Sequence, residues 1–80
     1  MSTTETNFDP MQRFGEKLHT LRIQRGFTLR ELADLLGVHN SHVARIEKGK
    51  KPSVELILKI SRLFDVPIDI LMKDELELDD

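Results

Sequence analysis

The 80-residue sequence contains no cysteine. That excludes a disulfide framework and any thiolate zinc site. It has no apolar run approaching the ~20 residues of a membrane-spanning helix. Its first ten residues, MSTTETNFDP, are polar and lack the apolar stretch of a secretory signal. The expectation is a soluble cytoplasmic protein. There is no low-complexity tract, no internal repeat and no segment with the alternation of a strand. A chain of this size is one small domain that buries roughly 60–65% of its unfolded surface. Without staples, such a fold draws its stability from well-packed helices.

Charge is present but segregated. The net charge is −2. Residues 11–64 carry +6, with eleven Lys/Arg against Glu16, Glu31, Asp34, Glu47 and Glu55. Residues 65–80 carry −6, and residues 1–10 carry −2. A basic body between acidic ends suits a polyanion-binding core with a solvating or shielding tail.

Helix signals divide the body. Asp9 and Pro10 suit the N-cap and first position of an opening helix. Met11, Phe14, Leu18 and Leu21 follow at spacings of 3, 4 and 3, which is one helical face. Gly15 falls inside this pattern at some cost, and Gly26 ends it as a left-handed cap. Thr28-Leu29-Arg30-Glu31 is a capping box, with Phe27 and Leu32 as its hydrophobic staple. This second helix spans about 28–36 and stops at Gly37. A third, about 40–48, turns Val43 and Ile46 inward and Asn40, Ser41, His42 and Arg45 outward; Gly49 stops it. Lys50-Lys51-Pro52 is a basic loop. Ser53 caps a fourth helix through Val54, Ile57, Leu58, Ser61 and Phe64, and Pro67 opens a short fifth, Ile68 to Met72. The acidic remainder from Lys73 reads as frayed. The fold class is all-α.

Two short helices joined by a tight glycine-containing turn form a helix-turn-helix. Gly37 permits the reversal, Ala33 allows close approach, and Val43 and Ile46 fill the angle between the helices. The following helix then stands proud of the body, as a recognition helix must to enter a major groove.

Residues Thr28 to Gly49, TLRELADLLGVHNSHVARIEKG, resemble the helix-turn-helix of the Cro/CI (lambda-repressor-like, XRE) family. Residues Pro52 to Leu71, PSVELILKISRLFDVPIDIL, resemble that family's fourth and fifth helices. The likeness covers residues 12–73. It implies a five-helix DNA-binding bundle acting as a transcriptional regulator, usually dimeric on DNA. Residues 1–8 would be an N-terminal arm, 9–73 the DNA-binding domain and 74–80 an acidic tail.

The resemblance also implies roles by position. His39 matches the cap before the recognition helix, Asn40 and Ser41 the first base-facing positions, and Arg45 a further groove-facing position. His42 matches a backbone-touching position. Glu47 matches a glutamate that pairs with an arginine at the position of Arg22, tying the first helix to the third. Three departures stand out: Leu29 replaces a phosphate-touching polar residue, His39 replaces a Ser/Thr cap, and Pro67 replaces a serine. The chemistry of the residues agrees with these roles. Asparagine can bridge adenine N6 and N7, and arginine can grip guanine O6 and N7. Arg30, Lys48, Lys50 and Lys51 suit phosphate and set affinity and its salt dependence. The capped starts at Thr28 and Ser53 present N–H groups to phosphate.

Other chemistries find little support. His39 and His42 have a metal-compatible spacing but no third ligand nearby. The acids after Asp65 lack the spacing of a calcium loop. Adjacent Ser41 and His42 do not face each other as nucleophile and base. No constellation offers an enzyme's nucleophile, base and pocket, and no cofactor, metal or small-molecule ligand is expected.

Residues Val54 to Met72 carry more apolar side chains than one inward stripe needs, which suggests a partner surface. The expectation is a homodimer through Phe64, Val66, Ile68, Leu71 and Met72. Its recognition helices would lie ~34–36 Å apart on a near-palindromic operator. The tail, with Leu76 and Leu78 among its acids, either solvates the chain, tempers non-specific DNA binding or docks on a neighbouring subunit. The expected function is a regulator, specifically a repressor, since no second domain is evident. An antitoxin, a restriction-modification control protein, or an interaction module that has lost DNA binding are the alternatives.

Overall fold

The computed structural model describes residues 11–78. Five helices succeed one another: α1 (Phe14–Gln24), α2 (Leu29–Leu36), α3 (Asn40–Glu47), α4 (Val54–Phe64) and α5 (Ile68–Met72). No strand occurs among the described residues. The all-α, five-helix expectation therefore holds. One core serves all five helices. Leu18, Leu32, Val43, Ile46, Ile60 and Leu71 are fully buried in it.

The helix boundaries follow local hydrogen-bond chemistry. Thr28 accepts from the Glu31 N–H, and the Glu31 carboxylate accepts from the Thr28 N–H, completing the capping box. Ser53 caps α4 by accepting from the Leu56 N–H at 3.1 Å. At the end of α1, the Phe27 and Gly26 N–H groups close on the carbonyls of Arg22 and Ile23, with Gly26 at φ 73°. This paired closure is the usual left-handed helix stop. At the end of α4 Asp65 takes the left-handed conformation at φ 56°. Short polar residues tolerate that region better than most.

The start of α1 departs from expectation. Asp9 and Pro10 lie outside the described residues. Met11 is left-handed at φ 68°, and α1 opens only at Phe14. The turn that leads into it is held from far along the chain, while the Phe14 N–H closes on the Met11 carbonyl at 3.2 Å. The Asp74 carboxylate accepts from the backbone N–H groups of Gln12 and Arg13, both at 2.9 Å. Arg13 donates to the Asp74 carbonyl at 2.8 Å and grips Glu77 with both terminal nitrogens, at 2.9 and 3.0 Å.

Residues 74–78 are thus not frayed; they clasp α1. Leu78 packs half-buried against the core. The Arg13 N–H bond holds the Asp74 carboxyl below the usual carboxylate range. Arg13 does the same for Glu77, while Glu77 and then Glu16 raise the Arg13 guanidinium.

Lys17 sits beneath this clasp, 2% exposed. Its Nζ donates to the carbonyls of Ile70 at 2.6 Å and Lys73 at 2.7 Å at the end of α5. The positive charge suits that helix C-terminus. Burial nevertheless pushes the Lys17 ammonium below its ordinary range.

Gly15 has a tertiary role. A Cβ there would collide with the Ile46 carbonyl oxygen and lie 2.8 Å from that of Glu47. The absent side chain lets α1 cross the end of α3 at backbone distance.

Candidate nucleic-acid interface

The turn between α2 and α3 sets the site. Gly37 is left-handed at φ 75°, and the Val38 N–H closes on the Ala33 carbonyl at 3.0 Å. Lys59 of α4 reaches the Leu36 carbonyl at 3.3 Å. Val43 and Ile46 anchor α3 in the core at 0% exposure. Leu32, Ala33 and Leu36 receive it from α2.

The opposite face of α3 is open. Asn40, Ser41 and Arg45 are exposed, as is Lys48 at its C-cap. Ser41, Arg45 and Lys48 are spaced by four and three residues, so they share one helical stripe.

His39 caps α3. Its Nδ1 accepts from the Ser41 N–H at 3.1 Å and lies 2.9 Å from the Ser41 hydroxyl. The imidazole takes the place of the usual Ser/Thr oxygen, so this N-terminus is capped. The serine neighbour of the imidazole is therefore Ser41 with His39, a pairing that side-chain spacing alone does not reveal.

An open cleft of about 370 Å³ brings Arg30 together with Asp34, His39 and Asn40. A second, of about 230 Å³, joins His42 to Ser53, Glu55 and Lys59 at the start of α4. Lys50 and Lys51 are exposed in the loop after α3. Leu29 packs partly buried against the core. This burial accounts for an apolar residue at position 29.

Glu47 holds the far end of α3. Its side chain is 9% exposed and accepts from Arg22 Nε at 2.7 Å. A second Arg22 nitrogen reaches it at 3.2 Å, and His19 Nδ1 lies 2.9 Å away. Arg22 also donates to the Phe27 carbonyl at 2.9 Å, just before α2. One guanidinium thereby links α1, the entry to α2 and the end of α3.

The expected dimer face needs correction. Phe64 is 2% and Leu71 0% exposed. The Phe64 ring lies 6.2 Å from the Phe27 ring and under the Arg25 guanidinium at 5.4 Å. Both residues are consumed by the core and cannot meet a partner. Val66, Ile68 and Met72 are half-buried. Among the described residues, the large apolar side chains that protrude are Val54 and Leu58 on α4, Ile23 on α1 and Leu35 on α2.

The sequence pattern of the helix-turn-helix family matches residues 18–71. The chain belongs to that family, in its Cro/CI (XRE) form. This XRE-family chain is similar to the HTH-type transcriptional regulator SinR of Bacillus licheniformis. The two are 35% identical over 69 residues, covering 81% of this chain and 62% of that protein. The chain thus spans less than two thirds of that relative's length. Among solved structures it is similar to SinR, the master regulator for biofilm formation, in complex with DNA. There the TM-score is 0.66 at 32% identity, over 72% of this chain and 95% of that one. It is also similar to the restriction-modification controller protein C.AhdI of Aeromonas hydrophila. That match has a TM-score of 0.68 at 32% identity, over 76% of this chain and 94% of that one. No helix among the described residues is long and apolar enough to cross a membrane.

Proposed function

We propose that this XRE-family protein is a cytoplasmic, sequence-specific double-stranded DNA-binding transcriptional regulator with no catalytic role, acting as a repressor by occupying its operator. The observation that carries this reading is the exposed face of α3, where Asn40, Ser41 and Arg45 stand clear of the core. These are the side chains that read base edges. Thr28, Arg30, His39, His42, Lys48, Lys50 and Lys51 surround that face and contact the phosphates. The likeness to SinR bound to DNA supports the same reading.

The protein binds as a homodimer on a near-palindromic operator. Val66, Ile68 and Met72, half-buried on the α4–α5 side, contribute to the contact. Residues 9–73 form the DNA-binding unit, and residues 74–78, expected as a tail, close onto it through Asp74, Glu77 and Leu78.

Selection from random duplexes at two salt concentrations tests this. An enriched inverted repeat that disappears with the Asn40→Ala/Arg45→Ala double variant is the expected result. No enrichment with little salt dependence would overturn it and favour a protein-interaction role.

One observation favours a second reading within the same chemistry. The likeness to C.AhdI runs over nearly the whole of that controller protein. A restriction-modification control role predicts that the selected operator occurs beside a restriction or methyltransferase gene.

A further inference from the structure

We infer that His39 sets the hydrogen-bonding polarity of Ser41, and with it the base that Ser41 reads, under control of a single proton. The inference rests on the DNA-binding reading above. Its basis is the geometry at the start of α3. His39 Nδ1 lies 3.1 Å from the Ser41 backbone nitrogen and 2.9 Å from the Ser41 hydroxyl oxygen. The backbone nitrogen can only donate. Nδ1 is therefore an acceptor, and the neutral ring carries its hydrogen on Nε2.

At 2.9 Å the hydroxyl cannot turn a lone pair toward the Nδ1 lone pair without repulsion, so its hydrogen also points at Nδ1. The Ser41 oxygen then has only lone pairs to offer outward. A serine in that state accepts from a base amino group, adenine N6 or cytosine N4, in the major groove.

Protonation at Nδ1 inverts this arrangement. The new N–H faces the Ser41 N–H, so the cap is lost. It donates to the Ser41 oxygen instead, and the Ser41 O–H is released. Ser41 can then donate to guanine O6 or N7, to thymine O4 or to adenine N7, and cytosine alone offers it no acceptor. A serine or threonine cap has no such second state.

The charged groups around His39 are Arg30 and Asp34 of α2, which line the same cleft. The other imidazole of α3, His42, belongs to the neighbouring cleft with Glu55 and Lys59. Its own protonation would act through phosphate attraction and would not change base choice at the Ser41 position.

The test is duplex selection from a random pool at about pH 8 and about pH 5, the span in which histidine changes charge. Wild type, His39→Asn and Ser41→Ala are compared. Asparagine caps a helix well and does not titrate.

Wild type should favour an amino-bearing base at one half-site position at high pH, by about three- to ten-fold, the worth of one hydrogen bond. Cytosine, which presents only a donor, should lose its advantage over guanine and thymine at low pH, while adenine, which presents both an amino group and N7, can serve in either state. His39→Asn should show no such shift, and Ser41→Ala no preference at that position. Nitrogen NMR of the free protein should place the neutral His39 hydrogen on Nε2. It should also show the Ser41 amide moving with His39 titration.

An unchanged base preference in wild type would overturn the inference. So would a shift that survives in His39→Asn, or a neutral ring with its hydrogen on Nδ1. If no duplex is enriched at either pH, the DNA-binding reading fails and the specificity claim fails with it. The NMR arm would still decide the cap on its own.

Discussion

Asp74 holds the residue just ahead of α1 from 61 positions along the chain: its carboxylate receives the backbone N–H of Arg13 at 2.9 Å. The same carboxylate takes the Gln12 N–H, and Glu77 secures Arg13 from the other side. Asp74→Ala should lower the melting temperature and speed hydrogen exchange at Gln12 and Arg13. Truncation after Lys73 should do so more strongly, because it also removes Leu78 from the core margin. Unchanged exchange at those amides would refute the clasp.

The clasp also predicts an acid sensitivity. Asp74 and Glu77 both titrate below the ordinary carboxylate range, Asp74 through the Arg13 N–H bond and Glu77 through the Arg13 side chain. The folded state therefore holds these protons less tightly than the unfolded chain, where carboxylates titrate near about 4. Their stabilisation is fully present above that value and is lost as pH falls through the lower folded values. A melting series from about pH 6 to about pH 2 should show a fall that is shallower in the Asp74→Asn/Glu77→Gln variant.

Gly15→Ala should destabilise the protein although it improves helix propensity. Alanine in place of glycine gains up to about 1 kcal/mol in an unhindered helix. Here the new Cβ meets the backbone carbonyls of Ile46 and Glu47. Backbone cannot rotate aside, so the overpacking cost sits at the upper end of about 1–3 kcal/mol. The net change should be a loss of roughly 2 kcal/mol, read by denaturant unfolding. A stabilised variant would mean that α1 and α3 separate easily.

Arg22 and Glu47 make a different kind of bond. Their side chains are 11% and 9% exposed, so removing one leaves the other a poorly solvated charge. Glu47→Ala should cost about 3 kcal/mol or more, the scale for breaking a buried pair. Replacing both with leucine should recover much of that loss, because such pairs often add little over an apolar substitute. A double variant as unstable as the single one would assign the effect to lost packing instead.

How much of this was readable beforehand depended on where each group finds its partner. The starts at Thr28 and Ser53 close within three residues of themselves, so the sequence shows both donor and acceptor together. The lead into α1 does not, because Gln12 and Arg13 are held by Asp74 across the fold. Gly15 looked like a tolerated defect because its neighbour is the end of another helix.

The exposed positions on α3 followed from helical spacing once Val43 and Ile46 faced inward. Phe64 and Leu71 are buried instead of lining a partner surface for the opposite reason. Apolar excess along α4 and α5 says that some side chains remain outside, but only packing selects which. Val54 and Leu58 are the ones left on α4.

Under the proposed DNA-binding function, the exposed cations of α3 and the loop after it should divide by role. Arg45 stands on the open stripe of α3, and Lys50 lies in the loop beyond it. Arg45→Ala should reduce discrimination at one base pair by about 1–3 kcal/mol, with a smaller effect on random duplex. Lys50→Ala should weaken all duplexes alike and lower the slope of log affinity against log salt by about 0.9, one phosphate contact. Fluorescence titration of the selected duplex and of a scrambled one at several salt concentrations separates the two behaviours. If Arg45→Ala weakens both duplexes equally and changes the salt slope as Lys50→Ala does, Arg45 contacts phosphate. Base choice would then rest on Asn40 and Ser41 at the start of the helix.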